Sequence, residues 1–297
     1  MAEVTAQLVK QLRERTGAGM MECKKALDEA AGNLEEAEVV LRKRGQAAAA
    51  KKATRSAKQG LIVIEGDANN ATVVEVNCES DFVARTDDFQ ALAKGLAQHV
   101  HGSQAADVAS LLNEDFSGEA GTSVGEYIKG KIAKVGENIV LPRFDKISVP
   151  SGVVATYIHP GSQLAVAVGL SNSSKPGDPA LAELGKDIAM QIAAADPKYT
   201  VRTEVDPAHL AKEADIARDR ARNEGKPEKI LDKIVEGRLT KFYEEVCLLE
   251  QPFIKDNALT IGEIVKQKSA ALGGPIEVVK FIRFKVGETA SPEEVAE

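Results

Sequence analysis

Gly60-Leu61-Ile62-Val63-Ile64, then Asp67-Ala68-Asn69-Asn70, then Thr72-Val73-Val74-Glu75-Val76 is the stretch that decides the fold. Apolar residues recur with a period of two on both sides of a polar turn, the pattern of a β-hairpin. Phe89, Leu92, Leu96 and Val100 follow at helical spacing. The same order returns 92 positions later. Gly152 answers Gly60, Val153-Val154-Ala155 answers Leu61-Ile62-Val63, and Ala165-Val166-Ala167-Val168 answers Val73-Val74-Glu75-Val76. Leu181, Leu184, Lys186, Ile188, Ala189 and Ile192 answer Phe89, Leu92, Lys94, Leu96, Ala97 and Val100. One offset through strand, turn, strand and helix implies two copies of a unit, each burying a sheet face under helices. The expected core is therefore α+β.

Between the hairpin and helix of the first copy lies Glu75-Val76-Asn77-Cys78-Glu79-Ser80-Asp81-Phe82-Val83-Ala84-Arg85. Turns favour Gly, Asn, Ser and Pro, and an exposed aromatic in one asks for a partner to bury it. Taken alone, Phe82 would most often fold back beneath its own sheet. The second copy argues otherwise, because Ser173 and Ser174 stand at the matching positions. Packing that the repeated scaffold needed would have kept an apolar residue there. The second copy has its own oddity, His159 in Tyr157-Ile158-His159-Pro160-Gly161 at the hairpin tip, with no Ser, Cys or acid at a motif spacing. A lone His in a turn is more often solvated than catalytic.

The flanks read as helices. Residues 1–46 hold three short ones, with apolar faces at Val4, Leu8 and Leu12, at Met21, Cys23, Ala26 and Leu27, and at Ala37, Val40 and Leu41. Thr16-Gly17-Ala18-Gly19 and Gly32-Asn33 break them, and Gly45 is placed as a stop. Residues 47–59 are Ala/Lys-rich, with little to bury, and read as an exposed linker of helical tendency. Met20 and Met21 cannot both face one small core; an exposed thioether suits a partner surface, and core packing is the alternative. Residues 201–250 form two amphipathic helices around Gly225-Lys226-Pro227, a helical hairpin of coiled-coil character. Thr260-Ile261-Gly262-Glu263 is a capping box opening a helix to about Leu272, and a strand follows from Ile276 to Val286. The domain reading is thus 1–46, linker 47–59, first copy 60–145, second copy 146–200 with 251–289, hairpin 201–250 and a polar tail 290–297.

Composition narrows the function. No apolar run approaches the ~20 residues that span a membrane. Cys23, Cys78 and Cys247 are odd in number, far apart and in no CxxC pair, which suits buried thiols of a reducing, cytoplasmic compartment. Residues 1–60 hold 12 Lys/Arg against 8 Asp/Glu, on a chain whose net charge is −7. A mildly basic head on an acidic body is not the strongly basic face of a dedicated nucleic-acid binder. Aromatics make up 4% and Trp is absent, so base-stacking platforms are not expected. Gly17-Ala18-Gly19 does not make a dinucleotide loop: Glu22 stands where the third glycine belongs, and a helix precedes it. His99, His101, His159 and His209 are dispersed, with no metal-ligand spacing, and His99 with His101 reads as a helix-end surface pair. No cofactor and no enzymatic site are expected; a protein-interaction role is.

Thr16-Gly17-Ala18-Gly19-Met20-Met21-Glu22-Cys23-Lys24-Lys25-Ala26-Leu27 resembles the signature near the start of the bacterial elongation factor Ts family, and Glu75 to Ala84 resembles its second signature. Val235-Glu236-Gly237-Arg238, Gln251-Pro252-Phe253 and Phe281-Ile282-Arg283-Phe284 are also similar, so the resemblance runs nearly end to end. The chain departs from the family pattern at Ser80, where Thr is common, and at Gln163 and Ala165, where Arg and Gly are common. The resemblance implies a ubiquitin-associated-like N-terminal module and a guanine nucleotide exchange factor for elongation factor Tu. It implies that Ser80, Asp81, Phe82 and Val83 act on the partner's nucleotide-binding domain, Phe82 as a wedge and Asp81 on the groups that hold Mg²⁺. Arg13, Met20 and Met21 would touch the same domain, and His159 another. A homodimer through the core or the hairpin is a second partnership left open; neither membrane nor direct nucleic-acid binding is implied. Two rivals remain. An RNA- or ribosome-binding module using the basic head would show steeply salt-dependent RNA binding. An enzyme with a site assembled from distant residues would turn over substrate without a protein partner.

Overall fold

The computed structural model describes residues 4–172 and 174–289. Ser173 and the tail 290–297 lie outside the described residues. The first three helices are α1 (Ala6–Thr16), α2 (Met20–Glu29) and α3 (Leu34–Lys52). Thr5 and Asn33 cap α1 and α3 with side-chain oxygens that accept backbone N–H bonds. Leu12, Cys23, Ala26, Leu27 and Ala37 close a small core of their own. The expected stop at Gly45 is not there: α3 runs on to Lys52, through half of the expected linker. Gly45 lies against a neighbouring helix instead, where a Cβ would come 3.1 Å from Ala133 Cβ. Ala49 is buried in the main core, so the Ala-rich stretch does have something to bury. Small residues let two helix backbones approach closely, and here that matters more than glycine's helix-breaking tendency, about 1 kcal/mol.

Strands β1 (Gln59–Gly66) and β2 (Asn70–Cys78) form the first hairpin. A single helical turn α4 (Asp81–Ala84) and the helix α5 (Asp87–Gly102) follow. Then come α6 (Val108–Leu111), α7 (Val124–Val135) and β3 (Ile139–Ser148), which pairs with β2 to complete the sheet β1-β2-β3. The sequence hides β3, because Pro142, Arg143, Asp145 and Lys146 interrupt its alternation.

A second sheet is ordered β4-β5-β8, from β4 (Gly152–Ile158), β5 (Leu164–Asn172) and, far along the chain, β8 (Ile276–Lys285). Between β5 and β8 the chain makes α8 (Pro179–Ala195), the antiparallel pair α9 (Pro207–Asn223) and α10 (Glu228–Val246), the short ribbon β6 (Pro252–Phe253) and β7 (Asp256–Thr260), and α11 (Ile261–Leu272).

Two offsets relate the sheets. Elements β1 and α5 recur 92 positions later as β4 and α8, down to the N-caps Thr86 and Asp178. Elements α7 and β3 recur 137 positions later as α11 and β8. Their capping boxes Ser123/Glu126 and Thr260/Glu263 and their left-handed glycine caps Gly136 and Gly273 correspond as well. The offset grows because α9 and α10 lie between. The second strand corrects the constant offset expected from sequence. Leu61 pairs with Val76, whereas Val153 pairs with Leu170, two residues beyond the expected Val168. An even slip keeps every side chain on its own face, so a pattern match cannot detect it. Counted from the strand ends, Lys175 and Pro176 stand where Asp81 and Phe82 do, not Ser173 and Ser174.

Both sheets are buried on both faces. Val74, Val76 and Cys78 face α5 and α7, while Val166, Val168 and Leu170 face α8 and α11. The remaining faces meet each other through Ile62, Val73, Ile147, Val154, Ala165, Ala167, Ile282 and Phe284. The layers run helix, sheet, sheet, helix. Sequence alternation suggested one buried face per sheet; the second lies under another sheet. Glu75 is fully buried at that inner interface. Its carboxylate accepts bonds from Arg143 Nε (2.7 Å), Asn77 Nδ2 (3.0 Å) and Gly287 N (2.9 Å), so a charge that would be costly alone is fully partnered. His99 is buried rather than on the surface: its Nδ1 accepts from Ser117 N at 3.1 Å and its ring packs on Phe116. The three thiols are free and buried.

Candidate functional site

The turn after β2 is built to put one side chain outside. Ser80 Oγ accepts from Val83 N (3.4 Å) and caps α4. Ala84 is buried and Val83 packs against the core, so the helical spacing turns Phe82 the other way. Phe82 is 81% exposed, more than any other large apolar side chain among the described residues. Asp81 is half-exposed and pairs with Arg85 Nη2 at 3.0 Å, a surface i,i+4 pair that contributes little to stability. Thr86 Oγ1 donates to Val83 O and accepts from Phe89 N, closing the turn against α5.

Two carboxylates hold this turn, one from outside it and one from within. Glu137 Oε2 accepts from Glu79 N (3.1 Å) and Ser80 N (3.0 Å), and Glu137 Oε1 accepts from Ser80 Oγ (2.6 Å). In return, Glu79 Oε1 accepts from Asn138 N at 2.6 Å, and Asn138 Nδ2 donates to Arg55 O. Beneath, the Cys78 thiol donates to Ser80 O, and burial, with the Glu137 charge next, pushes it up to about 12. A thiol at that value is neither nucleophile nor metal ligand at neutral pH. Sequence reasoning finds neither Glu137 nor Asn138. A Glu after a helix-capping glycine carries no signal of what its side chain will reach 57 positions away.

The other expected contact residues lie on other elements. Arg13 is exposed on α1, and Met20 and Met21 are 59% and 64% exposed at the start of α2, both outside the small core. Lys134 lies between the α1–α2 loop and α5. Its Cε would lie 3.4 Å from a Cβ on Gly17, and its Nζ donates to Asp88 at the start of α5 (2.9 Å). That bond holds the exposed Asp88 carboxyl below the usual range. His159 is exposed at the β4–β5 tip, with Nδ1 at 2.9 Å from Tyr157 Oη. Its neighbours Ile158 and Pro160 line a groove of about 710 Å³ that Asp81 and Arg85 also line. Ile62 N donates to Ser162 O at 2.7 Å, so the tip covers part of the free edge of β1. Among the described residues no His, Cys, Asp or Glu group is placed to hold a metal ion, and no helix is long and apolar enough to cross a membrane.

Comparison with known proteins gives one consistent result. The family model described as Elongation factor TS matches residues 79–288. An elongation factor Ts of Clostridioides difficile (strain 630) is 47% identical over 290 residues, 97% of this chain and 94% of the relative. One of Clostridium botulinum (strain Alaska E43 / Type E3) is 47% identical over 287 residues, 96% and 93% of the two chains. One of Clostridium kluyveri is 45% identical over 293 residues, 98% and 95%.

Proposed function

The chain belongs to the elongation factor Ts family of translation elongation factors, and on that premise we propose that it is a guanine nucleotide exchange factor for elongation factor Tu. Phe82 carries the reading. An aromatic ring four-fifths exposed on a single-turn helix is left uncovered among the described residues. Burying it in an apolar slot of the GTPase is worth about 2 kcal/mol. Asp81 brings a carboxylate beside the wedge, where it competes for the groups that hold the partner's Mg²⁺. That ion bridges the nucleotide phosphates, so loosening it frees GDP. Linkage sets the direction: as far as this chain weakens GDP binding, GDP weakens binding of this chain.

Ser80 and Val83 serve as the frame of the wedge. Arg13, Met20 and Met21 extend the contact from the helical module, and His159 supplies a further one across the groove. Residues 1–46 then form a ubiquitin-associated-like partner-binding module. Residues 60–145, and 146–200 with 251–289, act as two copies of one unit, the second interrupted by the helical hairpin. The rival RNA-binding reading loses ground because basic residues of the head are engaged: Arg15 with Glu38, Arg44 with Glu22 and Glu29, and Arg42 with Glu126.

Stopped-flow release of labelled GDP from purified elongation factor Tu tests the wedge. Phe82→Ala slows release about tenfold at limiting factor, the equivalent of roughly 1.4 kcal/mol, with an unchanged melting temperature. Release at the unaltered rate with that variant removes Phe82 from the role.

A further inference from the structure

We propose that Glu137 is the positioning residue of the exchange site, holding Asp81 and Phe82 ready through a reciprocal clasp with Glu79. The proposal rests on the exchange reading above. Each of the two carboxylates accepts backbone N–H bonds from the other's segment: Glu137 from Glu79 and Ser80, Glu79 from Asn138. The bond from Ser80 Oγ to Glu137, at 2.6 Å, adds a third contact at the N-cap of the very turn that bears Phe82. Hydrogen bonds with an ionised acceptor are about twice as strong as neutral ones, so this is a firm tie for an exposed turn.

The second sheet shows that the clasp is not something the scaffold needs. Gly274 stands 137 positions after Glu137, directly past the glycine cap of α11. A Cβ there would come 2.2 Å from Ser174 Oγ and 2.9 Å from Ser174 Cβ, so a side chain fits only if Ser174 shifts. Its turn is closed locally instead: Asn172 Oδ1 accepts from Ser174 N (2.9 Å) and Lys175 N (2.8 Å). Counted along the strands, Cys78 takes the place of Asn172, and its thiol donates to Ser80 O. The first turn has no carboxamide at that place, and Glu79 N and Ser80 N donate to Glu137 instead. The side chain that supplies it belongs to the segment after α7, so the wedge is tied to the body of the first helix layer.

A factor whose binding-competent turn is populated only a fraction of the time binds its partner more weakly by that fraction. Loss of the clasp therefore acts on the concentration of factor needed, not on the rate once bound. For Glu137→Ala the concentration giving half-maximal GDP release rises roughly tenfold while the maximal rate stays within about twofold. Glu137→Gln recovers most of the loss, since its amide oxygen still accepts both N–H bonds and its nitrogen can donate to Ser80 Oγ. Hydrogen exchange at the Glu79 and Ser80 amides, measured on the chain alone, quickens in Glu137→Ala and returns toward the parent in Glu137→Gln. Unchanged half-saturation with unchanged exchange overturns the proposal, as does an equal fall in maximal rate for both variants. If Glu137→Ala does not fold, Glu79→Ala removes the acceptor of Asn138 N from the other side, and a parent-like half-saturation there overturns it too. Failure of the exchange reading is distinguishable: Phe82→Ala would then leave GDP release unchanged, while the amide exchange still reports on the clasp.

Discussion

The turn after β2 and the turn after β5 each carry the chain from a central strand to a helix across that strand's sheet, yet only the first points an aromatic ring at solvent. After β5 the chain reaches α8 in fewer residues, closes on Asn172 and sets the Ser174 side chain against Gly274. After β2 it inserts the extra turn α4 and ties it across to Glu137. The helices α5 and α8 keep side-chain N-caps, Thr86 and Asp178, at an offset of 92 positions. A scaffold stable in both places leaves one of its turns free to be shaped for another molecule.

Equivalence of the two helix layers is the first thing to try to break. Phe89 and Leu181 occupy one offset position and are both fully buried. Phe89→Ala should cost about 3–5 kcal/mol and Leu181→Ala about 2–5 kcal/mol in urea unfolding; a near-neutral result for either would dissolve the comparison. Next comes the closed turn. Gly274→Ala forces a carbon onto Ser174 and should destabilise by about 1–3 kcal/mol, without slowing GDP release at saturating factor. Smaller again are the caps, where Thr86→Ala and Asp178→Ala should each lose about 1 kcal/mol, measured as paired shifts in melting temperature. A large difference between the two would show that the layers are not built alike.

The smallest effect lies in the tie between the helical module and the site. Asp88 is held below the usual carboxylate range by Lys134, so its contribution is present above its unfolded pKa and is lost as pH falls through the lowered folded value. The melting-temperature gap between the parent and Lys134→Met should therefore be steady at neutral pH and close only at acid pH below the ordinary carboxylate range. A gap that persists unchanged into that acid range would assign the effect of Lys134 to packing.

Much of the fold is legible because it rests on periodicity. The hairpins, α5, α8, the capping box at Thr260 and the strand from Ile276 all announce themselves through spacing and caps. What escapes is whatever depends on a neighbour. Pro142 and its charged flank conceal β3, whose place is set by β2. Gly45 reads as a stop until Ala133 is seen beside it. His99 reads as surface until Phe116 covers it. The two-residue slip in the second hairpin is invisible because an even shift preserves the pattern.

The candidate site divides in the same way. Asp81-Phe82 stands out in sequence because a large aromatic in a turn conflicts with local preference, and such a conflict can be seen without coordinates. Local spacing also suffices for the α+β class and for the helices on either flank, since hydrophobic period and capping act within a few residues. Only the tertiary structure decided that Phe82 faces outward, that Met20 and Met21 do so together, and that Glu137 is the residue gripping the turn. The first two depend on which side chains the packed core covers. The last depends on which backbone N–H groups lack a nearby acceptor once the sheets and helices have packed, since a buried or half-buried N–H must find one wherever the fold provides it.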